Sequence, residues 1–206
     1  MSKQAIIYLH GFNSASLDLN GQLLISKQKL RVLQAFCAEH AIVFLTPNLD
    51  YRDFQSLVED RLFEWNQLLD QGYEVIFMGS SMGGFSSEYL ALKTGSKAIM
   101  INPALCPSQL LQQFIGVSAN YETGQPYQWT LADCLQYQLY EQHLQHARQA
   151  IDRTILLDMG DQLIDSAATI AKYQGIARVI SFEGGSHGFE HMAEALPLIE
   201  PVIFGA

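Results

Sequence analysis

The sequence predicts an α/β fold in one domain, residues 1–206, with about six mainly parallel strands and helices on both faces of the sheet. Three observations lead there. Short apolar runs alternate along the chain with longer segments of helical periodicity. The runs are continuously apolar rather than alternating, as strands covered on both faces should be. And 206 residues, 49% of them hydrophobic and 16% charged, suffice for one two-sided core and are short for two domains.

The elements follow in order. Ala5 to Leu9 (AIIYL) is rich in strand formers and stops at His10-Gly11. Gln22 to His40 carries Leu23, Leu24, Leu30, Leu33 and Phe36 at spacings that share one helical face. Ala41 to Leu45 is the second strand, ended by Thr46-Pro47. Phe54 to Leu69 is a helix with Leu57, Val58, Leu62, Trp65 and Leu69 inward. Val75 to Met78, Lys97 to Ile101, Thr154 to Met159 and Ala177 to Phe182 are the remaining strands. Helices fill the gaps at Gly84 to Lys93, Asp165 to Tyr173 and His191 to about Ile199. Strand-helix-strand repetition implies parallel pairing through right-handed crossovers. One gap breaks the alternation. Pro103 to Asp152 shows no strand, only helical patterns at Ser108 to Ile115 and Leu131 to Arg148, and an insertion of that length is expected to form a cap over the strand ends.

Composition excludes several classes. Twelve Lys and Arg against 21 Asp and Glu give a net charge of −9, which repels phosphate backbones, so no nucleic-acid partner is expected. Lys27, Lys29 and Arg31 form the one basic cluster, read as the solvated face of a helix. No window approaches the roughly 18 continuous apolar residues of a membrane span, and the first residues lack a signal-peptide core. Cys37, Cys106 and Cys134 are odd in number and widely spaced; they fit buried thiols in a reducing cytoplasm better than disulfides or a metal site.

In a parallel sheet, functional groups gather at the carboxyl ends of the strands. The third strand is followed by Gly79-Ser80-Ser81-Met82-Gly83, a G-x-S-x-G pattern in which a serine is held on a tight strand-to-helix turn. Ser81 is the candidate nucleophile; Ser80 lacks the matching glycine on its C-terminal side. A serine needs a base. Of six histidines, His187 follows the last strand in Gly184-Gly185-Ser186-His187. His40, His143 and His146 lie in helical patterns, His191 reads as a helix-surface residue, and His10 as part of the loop after the first strand. The carboxylate that orients the base is Asp161, just past the fifth strand. Asp158 falls within that strand, Asp165 caps the next helix, and Glu183 is the alternative acid. The oxyanion donors expected from the pattern are the backbone amides of Met82 and Phe12.

These motifs, YLHGFNS (Tyr8 to Ser14), GSSMGG (Gly79 to Gly84), NPA (Asn102 to Ala104), Thr123 to Tyr127, GDQLID (Gly160 to Asp165) and EGGSHGF (Glu183 to Phe189), span the chain. Together they resemble the α/β-hydrolases and, more closely, the small bacterial YqiA/YcfP-type esterase family. The resemblance implies a compact hydrolase fold without the extra antiparallel strands of larger relatives. It also implies hydrolysis of carboxylic esters or thioesters with no metal or other cofactor. Some relatives lack the elbow serine; this chain keeps Ser81. The expected activity is therefore a cytoplasmic serine hydrolase acting on small to medium acyl groups. Tyr121, Tyr127, Trp129, Leu110, Leu111 and Phe114 are the expected apolar lining. Two other readings use the same parts: a cofactor-free C–C hydrolase or lyase, and a hydrolase-shaped binding protein with an idle triad. Oligomeric state is not fixed by the sequence.

Overall fold

The computed structural model describes residues 2–147 and 151–205. Six strands form one parallel sheet: β1 (Lys3–Leu9), β2 (Val43–Leu45), β3 (Tyr73–Ser80), β4 (Lys97–Ile101), β5 (Arg153–Asp158) and β6 (Arg178–Phe182), in the spatial order β2-β1-β3-β4-β5-β6. Alternate residues feed two cores. Ala5, Ile7, Leu9, Val75 and Phe77 point to one face, under α2 (Phe54–Asp70) and α3 (Met82–Thr94). Ile6, Tyr8, Ile76 and Met78 point to the other, under α1 (Gln28–Glu39) and the C-terminal helix α8 (Met192–Phe204). The continuous apolar runs of the inner strands follow from this double coverage. The edge strands β2 and β6 are only partly covered.

The direction of strand addition reverses between β1 and β3. From β1 the chain adds β2 on one side, then returns to place β3 on the other. That reversal leaves a crevice between the carboxyl ends of β1 and β3, the place where open α/β sheets bind ligands. Leu9 and Gly79 are register partners, so His10-Gly11-Phe12 and Ser80-Ser81 emerge side by side.

Several boundaries differ from the sequence pattern for identifiable reasons. The first helix starts at Gln28, not Gln22, because Leu23 bridges Leu17 and the Leu24 amide bonds the Ser16 carbonyl, drawing that stretch into a loop. In α2 the inward residue near the end is Leu68, while Leu69 is exposed. Helix α8 continues through Pro197 and Pro201, past the expected end near Ile199, because Ala195, Leu196, Ile199 and Ile203 keep one face buried. Asp165 caps α7 (Ser166–Tyr173), its carboxylate accepting the Ala168 amide at 2.9 Å.

Among the described residues no strand lies between β4 and β5. The segment holds α4 (Pro107–Leu110), a 3₁₀ turn (Leu111–Phe114), α5 (Leu131–Leu135) and α6 (Tyr137–His146). The single helix expected over Leu131 to Arg148 is thus broken at Gln136, and Arg148 lies outside the described residues. Cys37 and Cys134 are buried as expected; Cys106 is exposed at the start of α4. No described helix is long and apolar enough to cross a membrane.

The strand-to-helix turn leaves no room for side chains. A Cβ on Gly79 would collide with the Gly83 carbonyl, and one on Gly83 with the Leu9 carbonyl of the neighbouring strand. Gly83→Ala is therefore expected to destabilise by about 3 kcal/mol or more. Thermal unfolding followed by circular dichroism should show the midpoint falling by about 6–12 °C.

Candidate active site

Ser81 joins β3 to α3 with φ 57° and ψ −117°, a backbone conformation that non-glycine residues rarely adopt. The turn is tied on both sides: the Ser81 amide bonds the Ile101 carbonyl at 2.9 Å, and the Ser81 carbonyl accepts from Ala104 at 3.1 Å. Its hydroxyl opens onto a cavity of about 330 Å³ whose walls include Phe12, Leu111, Phe114, Leu163 and His187. Met82 is the first residue of α3. Its amide therefore points out of the helix N-terminus, where the dipole favours negative charge.

Asp161 and His187 meet as the sequence expects. His187 Nδ1 lies 2.8 Å from Asp161 Oδ2. The carboxylate can only accept, so this nitrogen carries a proton, and in the neutral ring that places the lone pair on Nε2. Asp161 is closed off from solvent, whereas 30% of the His187 side chain is exposed on the cavity side. Burial alone would raise Asp161. The His187 bond and the Leu163 and Ile164 amides on Oδ1 outweigh it and hold the carboxyl below its usual value. Ser81 shares the cavity with His187, and no hydrogen bond joins the hydroxyl to the ring. Such contacts often tighten only around substrate. Glu183 takes no part in the pair.

A second acid–histidine pair lies beneath the first. Asp158, at the end of β5 and fully buried, accepts Nδ1–H of His191 at 2.7 Å and the backbone amides of Ser186 and Glu190 at 3.1 and 2.7 Å. His191, expected on a helix surface, instead sits at the start of α8 with its ring bonded inward. Asn102 completes the clamp. Its amide donates to the Ser186 carbonyl at 3.1 Å, and its oxygen accepts the Asp158 amide at 3.0 Å. Gly185, at φ 70°, has no alternative: a Cβ there would collide with the Asp158 carboxylate. The loop carrying His187 is thus held by residues that sequence reading passed over. The available signal was an aspartate closing a run of buried apolar residues, where a carboxylate must find partners.

The Phe12 loop is equally constrained. His10 is buried, with Nδ1 on the Gly11 carbonyl at 2.8 Å and Nε2 accepting the Leu49 amide at 2.8 Å. Both contacts require the neutral ring, and burial lowers its pKa to about 4. Tyr51 donates to the His10 carbonyl. The Phe12 ring packs on Phe114, Tyr127 and Trp129. Of the expected apolar lining, Leu110, Leu111, Phe114 and Tyr121 do face the cavity. Tyr127 and Trp129 do not; they are core residues that buttress Phe12 from behind.

The basic cluster is a solvated face only at Arg31, which is exposed; its two lysines turn toward the strand ends. Lys27 reaches Ser14 Oγ and Glu122, and Lys29 donates to Ser80 Oγ at 2.7 Å inside the cavity. An amphipathic pattern cannot tell that the first turn of α1 abuts the strand ends.

Two measurements test this geometry. His10 has a folded pKa of about 4 against an ordinary 6.5. Below pH 6.5 the unfolded chain therefore takes up a proton that the folded chain refuses, and stability falls until about pH 4. The contribution is up to ~3 kcal/mol. Urea unfolding at pH 7 and 4.5 should show that His10→Gln loses less on acidification than the wild type. Asp158→Asn should weaken the clamp by about 1–3 kcal/mol, seen by mass spectrometry as at least about fivefold faster amide exchange at Ser186 and Glu190 with little change at Ile6 or Phe77.

A family model described as "Uncharacterised protein family (UPF0227)" matches residues 5–202. A UPF0227 protein of Shewanella sp. (strain ANA-3) is 24% identical over 195 residues, covering 95% of this chain and 97% of its own. A structure from work on LipS and LipT, two metagenome-derived lipolytic enzymes, aligns with TM-score 0.73 at 16% identity over 100% of this chain and 95% of that one. Est1E from Butyrivibrio proteoclasticus aligns with TM-score 0.70 at 14% identity over 99% and 88%. At such identities the structural likeness establishes the α/β-hydrolase fold. The family match spans nearly the whole sequence, and the chain belongs to the UPF0227 family, the YqiA/YcfP type that its motifs resemble.

Proposed function

We propose that the protein is a serine hydrolase cleaving carboxylic esters or thioesters of small to medium acyl groups through an acyl-serine intermediate. The observation that carries this is the joint placement of a strained elbow serine and an Asp161–His187 pair on one partly apolar cavity of about 330 Å³. That volume lies at the small end of ligand pockets.

Ser81 Oγ attacks the acyl carbonyl while His187 Nε2 takes its proton, and Asp161 stabilises the resulting imidazolium. The Phe12 and Met82 amides donate to the oxyanion; no acceptor among the described residues engages either amide. Collapse expels the alcohol or thiol, which leaves with the proton from His187. Water, deprotonated by the same nitrogen, then releases the acid and restores Ser81. The neutral His187 with Nδ1 on Asp161 is the state ready for the first step. The three unpaired cysteines suit a reducing cytoplasm as the site of action.

Intact-mass spectrometry after fluorophosphonate treatment tests the assignment. A single adduct is expected on the wild type and none on Ser81→Ala. Well-folded wild-type protein that takes up no adduct would overturn the acyl-serine route. With an activated ester, Asp161→Asn should lower kcat by about 10⁴-fold, because the histidine then settles in the wrong tautomer.

A further inference from the structure

Two of the chain's six lysines reach the cavity of a protein whose net charge is −9. Lys27 is matched by Glu122 in an ion pair. Lys29 is not matched. Its ammonium donates to a neutral hydroxyl, Ser80 Oγ, at 2.7 Å, and no carboxylate among the described residues pairs with it. The nearby carboxylates are committed elsewhere, Asp158 to His191 and Asp161 to His187.

An ammonium has three donors, so Lys29 keeps two for the cavity after bonding Ser80. Holding it there without a counter-ion is unfavourable. Burial and then repulsion from Lys27 pull its pKa down to about 7. An anion in the cavity would oppose both effects. The start of α1 reinforces this bias: the helix has no side-chain cap, and while the Gln28 amide donates to the Ser26 carbonyl, the Lys29 and Leu30 amides of the first turn find no acceptor among the described residues, beside the Leu30 side chain that lines the cavity. A purely structural brace for Ser80 would need only a neutral donor.

We propose that Lys29, with Ser80 and the start of α1, forms an anion subsite in the catalytic cavity, and that the substrate is an ester or thioester bearing a carboxylate or phosphate group. The hydrolytic half rests on the proposed serine chemistry; the anion subsite stands without it. The apolar lining, with Phe12, Leu110, Leu111 and Phe114, takes the apolar part of the same molecule.

Two substrate pairs locate the anion. Mono-p-nitrophenyl glutarate against p-nitrophenyl valerate places the charge on the acyl side. 4-Carboxyphenyl butyrate against 4-carbamoylphenyl butyrate places it on the leaving group. The wild type should prefer the anionic member of one pair in kcat/KM. Lys29→Gln should lower that anionic-to-neutral ratio about tenfold or more, with Lys29→Arg retaining part of it. Calorimetry with glutarate and with inorganic phosphate on Ser81→Ala, with and without Lys29→Gln, reads binding without turnover. Lys29-dependent binding combined with no ester hydrolysis would keep the subsite and overturn the hydrolase reading. Ester hydrolysis with no anionic preference in either pair, and no glutarate or phosphate binding by Ser81→Ala, would overturn the subsite and keep the hydrolase. That last outcome is read on protein with Lys29 intact, so it does not depend on how the Lys29 variants fold.

Discussion

The close approach of α3 to β1 and β3 is the constraint on which the rest of the site depends. At Gly79 and Gly83 backbone meets backbone with no space for a Cβ, and the chain can turn from strand to helix only by placing Ser81 in a left-handed conformation. That strain lifts the hydroxyl into the cavity and aims the start of α3 at the same point. It persists because the carboxyl end of β4 and the loop after it hold the turn through Ile101 and Ala104. The reversal of strand order between β1 and β3 then sets the Phe12 loop beside it.

The histidine side of the site is built on a different principle, a buried carboxylate saturated with donors. Asp158 cannot reach solvent, so it gathers two loop amides and His191, and in doing so fixes the path of the loop that presents His187. The two acid–histidine pairs thus divide the work. One holds a loop and the other orients a ring at the cavity edge. A buried carboxylate left without those partners would be costly, which makes the loop conformation as firm as a piece of regular structure.

The segment between β4 and β5 contributes both a wall and a support. Leu110, Leu111 and Phe114 face the cavity, while Tyr127 and Trp129 fill the space behind Phe12 and connect it to Tyr137 and the main core. Hydrogen bonds from Asn13 to the Ala119 carbonyl and from Asn120 to the Ser14 carbonyl fasten this segment to the loop after β1. The cavity therefore has an apolar side made by the insertion and a polar side made by α1 and the ends of β1 and β3.

The sequence by itself determined the layered parallel sheet, because strands covered on both faces must be apolar throughout, and it pointed to Ser81, Asp161 and His187, because each follows a strand at a glycine-marked turn. Local signals of that kind survive in one dimension. The partners of Asp158, His191 and Asn102, the inward reach of Lys29 and the buttressing role of Trp129 were decided only by the tertiary structure. Each is a contact between residues far apart in the chain, and periodicity records which face of an element is apolar, not which neighbour that face will meet. The late start of α1 is also set by a contact that periodicity does not record: the Leu24 amide bonds the Ser16 carbonyl and leaves the helical ladder, because a backbone donor must find a partner wherever the chain runs.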